Sequence, residues 1–216
     1  MDKDLIDRTI HFVKSELRDS ESGHDWMHIE RVYNNTLKIL ETEKADTLVC
    51  RLGALLHDIA DAKFNGGDDT NGVLMATKFL REQNISDEII SQVSFIIKYI
   101  SFKGGLNENI TKTKELMVVQ DADRLDAIGA IGIARAFNYG GYKNRKIYDP
   151  GVKIHSYKSS NEYYSSTAPT IQHFYEKLLL LKDMMNTPSA KKMAEDRHRF
   201  MELFLEQFYK EVNQKP

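Results

Sequence analysis

Residues 52–61 read Leu52-Gly53-Ala54-Leu55-Leu56-His57-Asp58-Ile59-Ala60-Asp61, an apolar helical run ending on two adjacent polar side chains. An imidazole and a carboxylate at the end of a buried segment are costly unless something compensates them. A divalent cation is the usual partner for such a pair. The plainer alternative is that His57 closes the helix and Asp58 faces water. The rest of the chain decides between them.

With 216 residues, 41% of them hydrophobic and 29% charged, the chain reads as one ordinary soluble domain spanning 1–216. A formal net charge of -2 supplies no field for gripping nucleic acid or an anionic membrane surface. The first residues carry no signal-peptide apolar region, and no run approaches a membrane span. A single cysteine, Cys50, excludes a disulfide framework and a Cys-based zinc site, and its apolar neighbours Val49 and Leu52 mark it as core. Together these features point to a cytoplasmic protein.

Only four prolines interrupt apolar residues spaced three and four apart, so helices are expected nearly throughout, and the fold class is an irregular all-α, multi-helix bundle. The first helix covers about 3–17. Asp25 is the expected N-cap of the second, which places His28 in its first turn and Asn35 two turns on along the same face. Asp46 caps the helix that ends at His57-Asp58. Gly66-Gly67 mark a sharp turn, and further helices start near residue 69 or 70 and at Ser86. Another begins near Lys114, runs through Gln120-Asp121-Ala122-Asp123-Arg124-Leu125-Asp126, and continues as 130–138. Residues 139–168 form the one long irregular stretch, suited to a lid or binding loop. A helix restarts at 167–169 and reaches about Met185. Thr187-Pro188 then opens the last one, to about Val212.

Acid and imidazole side chains thus gather at three places on core-facing helices: His28, His57-Asp58, and Asp121/Asp123/Asp126. Two imidazoles and two carboxylates with no thiolate suit a divalent ion with open water positions.

His28-Ile29-Glu30-Arg31-Val32, His57-Asp58 and Ala122-Asp123-Arg124-Leu125 together resemble the ordered His...His-Asp...Asp signature of the HD-domain metal-dependent phosphohydrolases, and in particular their small stand-alone bacterial members. The likeness covers about 23–136; the C-terminal helices, about 169–212, carry no motif of their own. The resemblance implies an all-helical HD-type bundle that cleaves phosphate esters or anhydrides, commonly of nucleotides, with His28, His57, Asp58 and Asp123 as metal ligands. His28 fits the first position better than His24 because Arg31 and Val32 follow it at the family's spacing. Asp126, one turn after Asp123, is the alternative ligand or an acceptor behind the ligands. Family members with two metals add histidines between the His-Asp pair and the last Asp. None occurs here between His57 and His155, so one divalent ion is implied: Mn, Mg, Fe, Co or Ni.

Such a site activates water and polarises a phosphoryl oxygen. Asp61 stands where several relatives of this type carry a Glu, and with Asp58 it is the expected catalytic acid-base group. His24, Lys63 and Lys103 are the candidate substrate contacts. The expected partner is a small phosphorylated molecule, a nucleotide above all, hydrolysed as a triphosphate to pyrophosphate or as a phosphomonoester. Neither nucleic acid nor membrane is expected, and a homodimer is compatible with the sequence. The alternative is a non-catalytic module that keeps the metal pocket and senses a nucleotide.

Overall fold

The computed structural model describes residues 2–18, 25–59, 70–101, 110–152 and 166–212, and every regular element among them is helical. His24, Asp61, Lys63, Lys103, His155 and most of the latter half of the 139–168 stretch lie outside the described residues. The sequence suggests one domain; by contacts, the chain groups into two compact units, divided after Asp123.

The first unit is built around α3 (Thr47–Leu56). Leu52 through Leu56 are all buried, which fits a helix that packs on three neighbours rather than presenting one face to water. Those neighbours are α1 (Asp2–Glu16), α2 (Trp26–Leu40) and α5 (Asp87–Tyr99), while α4 (Thr70–Glu82) packs on α5. Gly53 makes room for α5: a Cβ there would sit 2.8 Å from Ile96 Cδ1. The expected caps all form. Asp25 accepts from the His28 N–H at 3.0 Å, Asp46 from Val49 at 3.0 Å, and Ser86 from Ile89 at 3.5 Å. Each satisfies an otherwise orphaned helix N–H and fixes where its helix begins. The unit is completed by most of α6 (Lys114–Asp126).

The second unit contains α7 (Gly129–Tyr142), α8 (Thr170–Glu176), a 3₁₀ turn (Leu178–Leu180) and α9 (Pro188–Val212). Thr187 Oγ1 accepts from the Ala190 N–H at 3.3 Å, so Thr187 caps α9 and Pro188 opens it, as expected. Aromatic rings join the helices: Phe174 stacks on Phe204 with centroids 5.7 Å apart, and Phe137 lies 6.1 and 5.9 Å from them.

Three boundaries differ from expectation. The helix expected to run on from α6 breaks at Ala127-Ile128, where Gly129 takes φ 78°, a left-handed value that favours glycine. α7 then passes through Gly140-Gly141 to Tyr142 instead of stopping at 138. A Cβ at Gly140 would fall 2.1 Å from Thr170 Oγ1, so this glycine makes room for α8. The helix expected over about 169–185 ends at Glu176 because Lys177 leaves helical dihedrals (φ -142°, ψ -61°), and tighter turns follow.

Candidate metal centre

His28 enters from the first turn of α2, His57 is the C-cap of α3, and Asp58 is the next residue. Asp123 comes from the last turn of α6. Of these four expected ligands, His28, His57 and Asp58 form one tight group, and Asp123 lies beside the two imidazoles. The two Nε2 atoms lie 3.3 Å apart, with the rings edge to face at 73°. His28 Nε2 is 3.7 Å from Asp58 Oδ2 and 3.6 Å from Asp123 Oδ1, and His57 Nε2 is 4.0 Å from Asp123 Oδ1. Both imidazoles are nearly closed to solvent, whereas Asp123 keeps 31% of its side chain exposed. The cluster is shut behind the histidines and open at Asp123.

One tautomer follows from a neighbour. His57 Nδ1 lies 2.9 Å from the Ala54 carbonyl, a geometry in which Nδ1–H donates. Nε2 then carries a lone pair aimed at His28. The same contact satisfies one of the last carbonyls of α3. His57 thus closes its helix through Nδ1 and leaves Nε2 available to a metal, so the two readings do not compete for one nitrogen.

The donor set fits a cation. Ligand atoms at about 2.1 Å from one ion lie roughly 3.0 to 4.2 Å from each other, depending on the angle between them. The separations of 3.3, 3.6, 3.7 and 4.0 Å, each involving His28 or His57, fall in that window; His28, His57 and Asp58 form the tight group, and Asp123 stands beside the two imidazoles. Protons are a poor substitute, since one proton bridges only one pair of these acceptors. Nitrogen and carboxylate oxygen without sulfur match a borderline-to-hard divalent ion. Cys50, buried on α3, stands apart from this chemistry: burial, with Glu115 and Asp46 nearby, pushes its thiol up to about 12. It is a core residue and a poor nucleophile at neutral pH.

Side chains around α6 hold the fourth ligand in place. Asn35 Nδ2, on the His28 face of α2, donates to the Ala122 carbonyl at 3.2 Å. Glu115 Oε1 accepts from the Asp46 N–H at 3.0 Å, joining the starts of α6 and α3. Buried Gln120 donates to the Tyr99 and Ile100 carbonyls at 3.3 and 3.2 Å, where α5 ends, and accepts from Lys112 Nζ at 2.9 Å. Helical spacing in the sequence places Asn35 on the His28 face, and it does not single out Glu115 or Gln120. Gln120 lies one turn before Asp123, which was the available signal. Asp126, the alternative ligand, belongs to the second unit, where its carboxylate pairs with the Arg135 guanidinium. Asp121 is fully buried. Asp61, His24, Lys63 and Lys103, named from sequence as the acid-base group and substrate contacts, lie outside the described residues.

Comparison with known proteins follows the same stretch of chain. A family model described as the HD domain matches residues 26–128, which include His28, His57, Asp58 and Asp123. The Bacillus subtilis protein YpgQ is 39% identical over 206 residues, 93% of this chain and 90% of YpgQ. Among solved structures, an HD-superfamily hydrolase from Bacillus thuringiensis is 41% identical over 100% of both chains, with a TM-score of 0.77. The crystal structure of YpgQ in complex with ADP aligns at TM-score 0.74 and 37% identity, over 96% of this chain and 98% of that one.

Proposed function

The chain belongs to the HD-domain family, and from that premise we propose that it is a divalent-metal-dependent phosphohydrolase acting on a nucleotide. The observation that carries the reading is the gathering of His28, His57 and Asp58 into one tight group, with Asp123 within 4.0 Å of both imidazoles. Those four residues would hold a single ion, Mn, Mg, Fe, Co or Ni. When bound, that ion supplies Lewis acidity toward a phosphoryl oxygen and lowers the pKa of water. The nucleotide part of the proposal is supported by the ADP complex of YpgQ.

The chain's own residues supply the remaining work. His57 keeps Nε2 available by committing Nδ1 to Ala54. Asp25 fixes the turn that presents His28. Asp58 has its side chain 13% exposed, so it can serve as a ligand and steer a water proton toward Asp61, which takes the acid-base role. His24, Lys63 and Lys103 are assigned to the substrate phosphates, where cations offset the developing charge.

The test is a panel of nucleoside mono-, di- and triphosphates with Mn2+, read separately for pyrophosphate and orthophosphate. Pyrophosphate release from a triphosphate assigns pyrophosphohydrolysis, orthophosphate from a monophosphate assigns phosphomonoesterase chemistry, and orthophosphate from a di- or triphosphate assigns cleavage of the terminal anhydride. Thermal stabilisation by nucleotide with no product under any metal would replace the enzyme reading with that of a sensing module.

A further inference from the structure

Gln120 is a polar side chain in the core of the first unit, only 1% exposed. Its amide is fully committed: Nε2 donates to the Tyr99 carbonyl at 3.3 Å and the Ile100 carbonyl at 3.2 Å, and Oε1 accepts from Lys112 Nζ at 2.9 Å. Only one orientation of the amide satisfies all three, because two carbonyls need the N–H pair and an ammonium needs the oxygen. Burying an amide is costly unless its polar atoms are bonded, and this one meets that condition. Ile100 is the C-cap of α5, and Lys112 stands two residues before α6. One side chain therefore holds the chain where it leaves α5 and again where it enters α6.

Asp123 follows three residues later on α6, and residues so spaced are surface neighbours, with about 5 to 6 Å between their Cβ atoms. Within that one turn, Asp123 reaches the two imidazoles and Gln120 reaches α5. Asp123 Oδ1 stands 3.6 Å from His28 Nε2 and 4.0 Å from His57 Nε2. Functional constellations tolerate displacements of only about 0.5 Å, so a small slide of α6 would take the carboxylate out of place. We propose that Gln120 is the positioning residue for Asp123: its tether to the end of α5 sets how far α6 presents the carboxylate, and through it the affinity of the centre for a divalent ion. The proposal rests on the metal-centre reading and adds to it what governs the contribution of the fourth ligand. The tether also differs from the others on α6. Glu115 bonds the Asp46 N–H at an exposed position and Asn35 bonds the Ala122 carbonyl at a part-buried one, so water can stand in for them. The bond from Gln120 to the Ile100 carbonyl is buried, and its loss leaves that carbonyl without a solvent donor.

The experiment titrates Mn2+ into the chelator-treated full chain by isothermal calorimetry, with circular dichroism to show that each variant folds. Gln120→Leu should raise the Mn2+ dissociation constant at least about tenfold, the lower end of what losing a partner behind a metal ligand costs. Gln120→Glu keeps the size and the Lys112 contact but offers the Tyr99 and Ile100 carbonyls no donor. It should lose as much, and it is the variant read if the leucine variant does not fold. In an Asp123→Asn background, titrated to millimolar Mn2+, the same substitutions should change the constant by less than about threefold, because the ligand they displace is already weakened. Ser86→Ala, which removes the N-cap at the opposite end of α5, is the stability control: it should melt lower yet bind Mn2+ within about twofold of wild type. A wild type that binds no Mn2+ overturns this proposal together with the metal centre. Wild-type binding with Gln120 variants within about threefold of it, an undiminished loss in the Asp123→Asn background, or an equal loss in Ser86→Ala overturns this proposal and leaves the centre standing.

Discussion

The Nε2 atoms of His28 and His57 lie 3.3 Å apart, and neither residue reaches the other through sequence neighbours: one opens α2, the other closes α3. Two acceptor-bearing rings set this close, with carboxylates beside them, define the centre more sharply than either ring alone.

Removing one ring should empty the site. His28→Ala and His57→Ala are expected to lower bound metal, in protein purified without chelator, from about one ion per chain to near zero. Metal-dependent turnover should fall by more than about a hundredfold, the upper end of what even residues behind the ligands cost. Elemental analysis beside activity checks both. Variants retaining full metal would count against the centre.

Asp123→Asn should separate folding from binding. Asn keeps the shape of Asp123 while removing one negative charge from a partly closed cluster that already holds Asp58. The chelated variant is therefore expected to melt at or slightly above the wild-type temperature. With metal at a hundredfold excess over its Kd, the wild type gains about 2.7 kcal/mol, and the variant should lose most of that gain. Calorimetry with and without Mn2+ reads the crossing.

Gly53→Ala places a methyl 2.8 Å from Ile96 Cδ1. Overpacking of this kind costs about 1 to 3 kcal/mol. Ile96→Val deletes the opposing atom, so the double variant should be less destabilised than the sum of the singles, by at least about 0.5 kcal/mol in a urea-denaturation cycle. Simple additivity would show that this contact does not set the spacing of α3 and α5.

Cys50 gives a pH prediction. Burial first, then Glu115 and Asp46, raise its thiol from 9.0 to about 12, so the folded state favours the protonated form. That stability is fully present below pH 9 and is lost as pH climbs from 9 toward 12. Cys50→Ala should flatten the alkaline limb of the stability curve. In the wild type, a thiol reagent at pH 8 should react only as fast as the chain opens.

Local chemistry was legible and tertiary accommodation was not. Asp25, Asp46, Ser86 and Thr187 cap the helices expected of them, because a cap is decided within four residues. His57 and Asp58 were legible because they end an apolar run that makes their polarity conspicuous, whereas Asp123, among Asp121, Arg124 and Asp126, stood out only through the resemblance. Gly140 and Gly141 read as a chain break yet lie inside α7, since Gly140 is small for the sake of Thr170, thirty residues away. Lys177, which ends α8, is neither Gly nor Pro, so the chain offered no sign of the break. The committed Nδ1 of His57 was equally hidden, because it depends on where the Ala54 carbonyl points after folding.

Asn35, Glu115 and Gln120 tie α6 to α2, α3 and α5 in turn. A helix indexed to three others holds Asp123 at a fixed depth, so on the proposed reading the centre would be a socket that an ion enters, not a purse that closes on it. Ions are then discriminated by size and coordination angle, and exchange of one metal for another leaves the backbone where it was. The amides of α6 should accordingly rank with the slowest-exchanging in the first unit, whether or not metal is bound.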